Sequence, residues 1–152
     1  MQGVDSGPAT LIVAEPPARY EMRPPLVIDC SVICAVLFQE PERDEARVSM
    51  TSRELHAPEL LDYEFVSVAL KKLRTGERVD VEDGLREYAR SSIIVHPVDI
   101  AGTVALAERY ALSGYDAAYL WLAAALKAPL ATFDRRLGEA ARRHLATLDD
   151  SL

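Results

Sequence analysis

The chain has 152 residues, 49% of them hydrophobic and 27% charged, with a formal net charge of −7. Length and apolar content suit one domain with its own core, and the acidic balance argues against binding nucleic acid through overall charge, though not through a local basic patch. No apolar run approaches the roughly 20 residues of a membrane-spanning helix, and Met1–Ala18 lacks the basic start of a secretory signal, so a cytoplasmic location is expected.

Residues 1–25 stand apart as an N-terminal extension, punctuated by Pro8, Pro16, Pro17, Pro24 and Pro25. Within it Thr10–Ala14 is a short β-prone run that can add an edge strand, and the alternative is a flexible arm. Met22 is a second candidate start. From residue 26 to 152 the pattern is that of a folded domain. Leu26-Val27-Ile28 reads as a buried strand that ends on Asp29. Val32–Phe38 reads as a buried helix with Ser31 as its N-cap. Pro41–Met50 forms a second helix, and Glu54–Ala57 a short strand. Glu59–Arg74 is a long helix, opened by Pro58 and closed by Gly76. After a turn at residues 75–78, Asp80–Ser91 is amphipathic and helical. Ile93–Val95 is a β-branched strand ended by His96-Pro97. Helices follow at Ala101–Leu112 and Tyr115–Lys127, then a strand at Leu130–Phe133. Asp134 caps a last helix, Arg135–Leu145, and Ala146–Leu148 is a candidate edge strand. Short apolar strands alternating with helices indicate a three-layer α/β/α sandwich around a mostly parallel sheet.

Four acids stand at places where the chain would bring side chains together. Asp29 and Asp134 end strands, Asp116 opens an apolar helix, and Glu64 lies inside the largely apolar stretch Leu60–Val68. In open parallel sheets the C-terminal strand edge is where ligands bind. Each acid also has a structural explanation: a turn for Asp29, an N-cap for Asp134, a capping partner of Ser113 for Asp116, a salt bridge for Glu64. Carboxylates gathered at one point repel unless a cation joins them. Hard oxygen donors suit Mg²⁺ or Mn²⁺, and such an ion supports phosphodiester hydrolysis without a Cys or His nucleophile. Cys30 and Cys34, four residues apart, read as small buried residues of the first helix whose Cβ atoms are too far apart for a bridge. His56, His96 and His144 have no partners at metal-ligand spacing and receive no role.

Four stretches taken together resemble the PIN-domain ribonucleases, and within them the VapC-type toxins of toxin–antitoxin pairs. They are Val27-Ile28-Asp29-Cys30-Ser31, Ala57-Pro58-Glu59-Leu60 followed by Glu64, Tyr115-Asp116-Ala117-Ala118-Tyr119-Leu120, and Thr132-Phe133-Asp134-Arg135-Arg136-Leu137. The resemblance runs from about Leu26 to Leu145. It implies an endoribonuclease in which Asp29, Glu64, Asp116 and Asp134 hold Mg²⁺ or Mn²⁺, with Ser31 and Thr132 orienting carboxylates or water. It also implies an RNA substrate, a homodimer and a cognate antitoxin protein. Glu59 and Asp62 lie close enough in sequence to compete with Glu64 as the second acid. Arg135 and Arg136, directly after Asp134, are candidates for phosphate contact. Lys71, Lys72, Arg74, Arg142 and Arg143 suit solvated helix ends, while Tyr63, Tyr115, Tyr119 and Trp121 suit packing, base stacking or a dimer interface. Two other readings stay open: a phosphohydrolase with Asp29 as an aspartyl nucleophile, and a non-catalytic PIN domain that binds RNA or protein.

Overall fold

The computed structural model describes residues 23–148. Among these residues there are four strands and seven helices in the order β1 (Pro25–Ile28), α1 (Cys30–Leu37), α2 (Arg43–Met50), β2 (Glu54–Pro58), α3 (Leu60–Arg74), α4 (Arg78–Arg90), β3 (Ile94–His96), α5 (Ile100–Tyr110), α6 (Gly114–Leu126), β4 (Leu130–Ala131) and α7 (Arg135–Ala146). The strands pair in the order β3-β2-β1-β4, all parallel. β1 is therefore an interior strand covered on both faces. This is why Leu26, Val27 and Ile28 form an unbroken apolar run, all of them buried, rather than an alternating one.

The connections from β1 to β2 to β3 step in one direction across the sheet, and the return to β4 steps back. Right-handed crossovers then place α1–α4 on one face and α5–α6 on the other. The packing agrees: α1 lies against α2, α3 and α4, while α6 lies on β1, β2 and β4 and meets α5 and α7. This is the expected three-layer sandwich. On the first face an aromatic stack joins three helices, with the Phe65 ring 5.2 Å from Phe38 and 4.0 Å from Tyr88. Gly84 of α4 lets that face close, because a Cβ there would lie 2.6 Å from Phe38 Cε1.

Several local expectations change. Asp29, not Ser31, caps α1: its side chain accepts from Val32 N at 3.2 Å, and the helix already begins at Cys30. Ser31 falls inside the first turn, where its hydroxyl donates to Asp29 Oδ1 at 2.6 Å. α2 starts at Arg43 rather than Pro41, since Arg43 N first closes a turn onto Glu40 O. α4 begins at Arg78, which confines the turn to residues 75–77, with Gly76 at φ +86°. β3 is shifted by one residue and ends at His96, whose carbonyl accepts from Glu59 N. β4 keeps only two residues because Thr132 and Phe133 turn their polar groups toward Asp29 and Ser31. The edge strand expected at residues 146–148 does not form. Ala146 ends α7, and the amides of Thr147 and Leu148 close onto His144 and Leu145. The possible strand at Thr10–Ala14 lies outside the described residues.

The thiols of Cys30 and Cys34 are buried, free and 3.5 Å apart, on one face of α1. A second buried polar group was not foreseen. On one face of β2, His56 Nε2 meets Glu54 Oε1 at 2.7 Å, and His56 Nδ1 meets His96 Nε2 at 2.8 Å. The period of two along β2 puts Glu54 and His56 on the same side, and the register Pro58↔His96 brings the third residue to them.

Candidate active site

Asp29 leaves the end of β1 almost wholly inside the protein. Both of its oxygens are held. Oδ1 accepts from Ser31 Oγ and Val32 N, and Oδ2 accepts from Thr132 Oγ1. The same two hydroxyls reach onward: Ser31 Oγ accepts from Phe133 N at 3.1 Å, and Thr132 Oγ1 from Asp134 N at 2.9 Å. The ends of β1 and β4 are thus laced together around one carboxylate. Asp134 then caps α7, its Oδ1 accepting from Leu137 N at 2.7 Å.

The other two acids arrive on helices. Asp116 sits in the first turn of α6, where its amide donates to the N-cap Ser113 Oγ at 3.1 Å. Glu64 lies in the second turn of α3, and its Oε1 accepts from Tyr119 Oη at 2.7 Å. Tyr119 is fully buried in α6, so its hydroxyl ties the layer that carries Glu64 to the helix that carries Asp116. Burial and the Glu64 carboxylate push the Tyr119 hydroxyl pKa up, which keeps it a donor. The two neighbouring acids are placed differently. Asp62 accepts from Tyr88 Oη on α4 at 2.6 Å, and Glu59 is exposed at the N-terminus of α3.

The four acids share one field. Burial raises the Asp29 carboxyl above its ordinary value against the pull of its three hydrogen bonds, and the charge of Asp134 raises it further. Burial raises Glu64, and Asp29 and Asp116 add to the rise. Burial raises Asp116, followed by Asp134 and Asp29, while Ser113 and Arg136 oppose. Each of these three carboxylates therefore feels two of the others or Asp134. Like charges kept together inside a fold call for a countercharge. An all-oxygen donor set of this kind fits a hard divalent cation. Among the described residues, no three His, Cys, Asp or Glu side chains stand close enough to hold one ion directly.

A cleft of about 740 Å³ opens beside these acids, with Cys30, Ser31 and Cys34 from α1, Tyr63 and Glu64 from α3, and Tyr115 from α6 on its walls. Tyr63 and Tyr115 are exposed. A larger hollow of about 870 Å³ lies at the opposite strand edge, among Arg23, Arg47, Arg53 and Glu54, far from the acid group. The acids decide between the two.

Of the basic residues expected near phosphate, Arg135 is exposed beside Glu139, with Nε 3.5 Å from its carboxylate. Arg136 is committed to the fold: Nη2 donates to Ala111 O at 2.7 Å. The role of Tyr119 as the partner of Glu64 was missed in the sequence. Its place three residues after Asp116 on one helix face is the signal that points to it.

A parallel sheet with acids gathered at its C-terminal edge defines an α/β protein with a carboxylate-lined candidate site. The comparisons make this specific. The PIN domain matches residues 26–143, and the chain belongs to the PIN domain family. It is similar to a VapC ribonuclease of Mycobacterium bovis, 34% identical over 122 residues that cover 75% of this chain and 89% of the relative. Ribonuclease VapC9 of Mycobacterium tuberculosis matches to the same extent. Ribonuclease VapC3 of Pyrobaculum aerophilum is 31% identical over 121 residues, with 75% and 92% covered. Among solved structures, PAE2754 from Pyrobaculum aerophilum superposes with a TM-score of 0.62 at 23% identity, covering 86% of this chain and 98% of that one, and so shares the fold.

Proposed function

We propose that this protein is a Mg²⁺- or Mn²⁺-dependent endoribonuclease that hydrolyses RNA phosphodiester bonds, the toxin of a toxin–antitoxin pair. The observation that carries the reading is the placing of the acids at the sheet edge, where Asp29 is buried and hydrogen-bonded at the end of β1, Asp134 caps the helix that follows β4, and the charge of Asp29 reaches Glu64 and Asp116, in a chain whose relatives are named VapC ribonucleases. Those four acids would hold the ion, some of them through water. When bound, the ion supplies Lewis-acid polarisation of a phosphoryl oxygen and of the attacking water.

The remaining work belongs to the chain. Ser31, Thr132 and the Val32 amide fix the Asp29 carboxylate in one orientation, and Tyr119 does the same for Glu64. Asp134 is fixed by its cap bond, so its free oxygen can face the cleft. Three hydrogen bonds hold Asp29 in one orientation and leave one acceptor position on Oδ2, which suits a fixed ligand better than a mobile aspartyl nucleophile. Exposed apolar residues on α3 (Tyr63, Val66, Leu70) and α5 (Ile100, Val104) support a homodimer. The relatives' names support an antitoxin partner, and a cytoplasmic location goes with that reading. No helix among the described residues is long and apolar enough to cross a membrane.

The test is cleavage of single-stranded RNA with Mg²⁺ or Mn²⁺, with EDTA, and by the Asp29→Asn and Asp116→Asn variants. Cleavage that depends on the metal and is lost in both variants is expected. Cleavage retained in EDTA or in both variants would sink the proposal.

A further inference from the structure

Away from the acids, two arginines converge on one tyrosine. The guanidinium carbons of Arg109, in the last turn of α5, and Arg143, in α7, lie 5.3 Å and 5.7 Å from the centre of the Tyr110 ring. The Tyr110 hydroxyl is 3.0 Å from His144 Nδ1. Both arginines are exposed, whereas Tyr110 and His144 are half-buried. Among the described residues neither guanidinium is in an ion pair, while Arg78, Arg86, Arg90 and Arg135 each meet a carboxylate. Burial and the charge of Arg109 hold the His144 ring below its usual pKa. Two like charges on one ring repel, and the chain as a whole carries a net charge of −7. The cluster is a local positive patch in an acidic protein, and its complement is an anion.

Its position connects it to the acids. Ala111, which follows Tyr110, accepts from Arg136 Nη2, and the charge of Arg136 acts on Asp116. α7 therefore passes the end of α5 twice, at Arg136 and at the Tyr110–His144 contact. From Arg136 beside the acids to Arg143 the helix advances roughly 10 Å. Arginine presents a planar fork of donors that matches phosphate, and stacking on an aromatic ring fixes that fork without neutralising it.

We propose that the α5–α7 seam is a phosphate track, in which Arg109 and Arg143, seated on Tyr110, bind the backbone of the RNA strand that flanks the cleaved bond. The assignment rests on the ribonuclease reading above. Tyr110 acts through the two arginines and is a positioning residue.

The test measures binding of a mixed-sequence single-stranded RNA oligonucleotide to the full chain in EDTA across a salt series, together with Mg²⁺-dependent cleavage kinetics. Arg109→Gln with Arg143→Gln is expected to weaken binding roughly tenfold or more. It should flatten the log–log salt slope by about 1.4, two contacts at about 0.7 per phosphate of a single strand. KM should rise while kcat holds. Lysine at both positions keeps the slope. Tyr110→Phe keeps the slope, and Tyr110→Leu loses part of it when binding is measured well below the variant's own melting temperature. If wild type cleaves RNA and the glutamine pair leaves affinity and slope untouched, the track is overturned and the nuclease reading stands. If wild type neither binds nor cleaves RNA, both are overturned. If the glutamine pair loses only binding to poly-L-glutamate, the surface serves an acidic protein and the RNA track is overturned.

Discussion

Asp29 and His56 are buried alike, at 6% exposure each, on neighbouring strands of one sheet. Their surroundings are opposite in kind. His56 spends both ring nitrogens inside the protein, one on the carboxylate of Glu54 and one on His96. Nothing is left over, and the group needs no ligand. Asp29 is also hydrogen-bonded at both oxygens, yet its wider neighbours are acids of its own sign. Hydrogen bonds fix its two oxygens but leave the accumulated charge of the edge without a counterpart. A buried polar group with complementary partners stabilises a fold. One set among like charges weakens it, and groups of that kind cluster at functional sites.

Substitutions should separate the two regions. The largest effect is expected for Asp29→Asn, with loss of RNA cleavage on the order of a thousandfold, because several kcal/mol of transition-state stabilisation pass through the metal ligands. Metal-free melting should show no matching loss of stability. A variant that unfolds instead would make Asp29 a structural residue like His56. Next comes Thr132→Val, which frees one Asp29 oxygen. Metal affinity, read by titration of Mg²⁺ against melting temperature, should fall roughly 10–100-fold.

His56→Ala reverses the pattern. It leaves Glu54 and His96 without their partner and should cost about 1–3 kcal/mol in denaturant unfolding, with cleavage per folded molecule intact. A drop in kcat at full folding would place the histidine pair in the catalytic machinery.

A smaller, pH-dependent effect concerns the raised carboxylates. Asp29, Glu64 and Asp116 lie above their ordinary values of 3.8, 4.5 and 3.8, so the folded metal-free chain binds protons there more tightly than the unfolded one. Their contribution to stability is full below the ordinary values and is lost as pH rises through the raised ones. Without metal, Glu64→Gln should therefore gain on wild type in melting temperature as pH climbs from about 4 to about 7. A gap that stays constant with pH would argue against the shared field. The smallest effect is expected for Arg135→Gln. Its pairing with Glu139 is exposed, and stability should change by less than about 0.5 kcal/mol in chemical denaturation.

Much of this was legible in the chain. The run Leu26-Val27-Ile28 declares a strand covered on both faces, since only an interior parallel strand buries consecutive residues. The alternation of strands and helices declares the layers. Asp29, Asp116 and Asp134, with Ser31 and Thr132, could be named because each stands beside an element boundary, where local pattern is informative, and Glu64 because it interrupts a largely apolar helical stretch. The boundary errors have a common cause. Ser31 looks like a cap by residue type, but Asp29, two residues earlier, provides a stronger acceptor at the helix start. Residues 146–148 look extended by composition, yet their amides were needed to close the last turn of α7.

Sequence by itself determined the sheet, the order of the elements and the list of acids, because those follow from hydrophobic period and from residues adjacent in the chain. Tertiary structure decided which groups meet across the chain. It gave Glu64 its hydroxyl partner on α6 and tied Arg136 to Ala111. It joined His56 to His96 and seated Arg109 and Arg143 on one ring. These are contacts between residues far apart in sequence, set by register and helix packing. No local pattern of residue types encodes them.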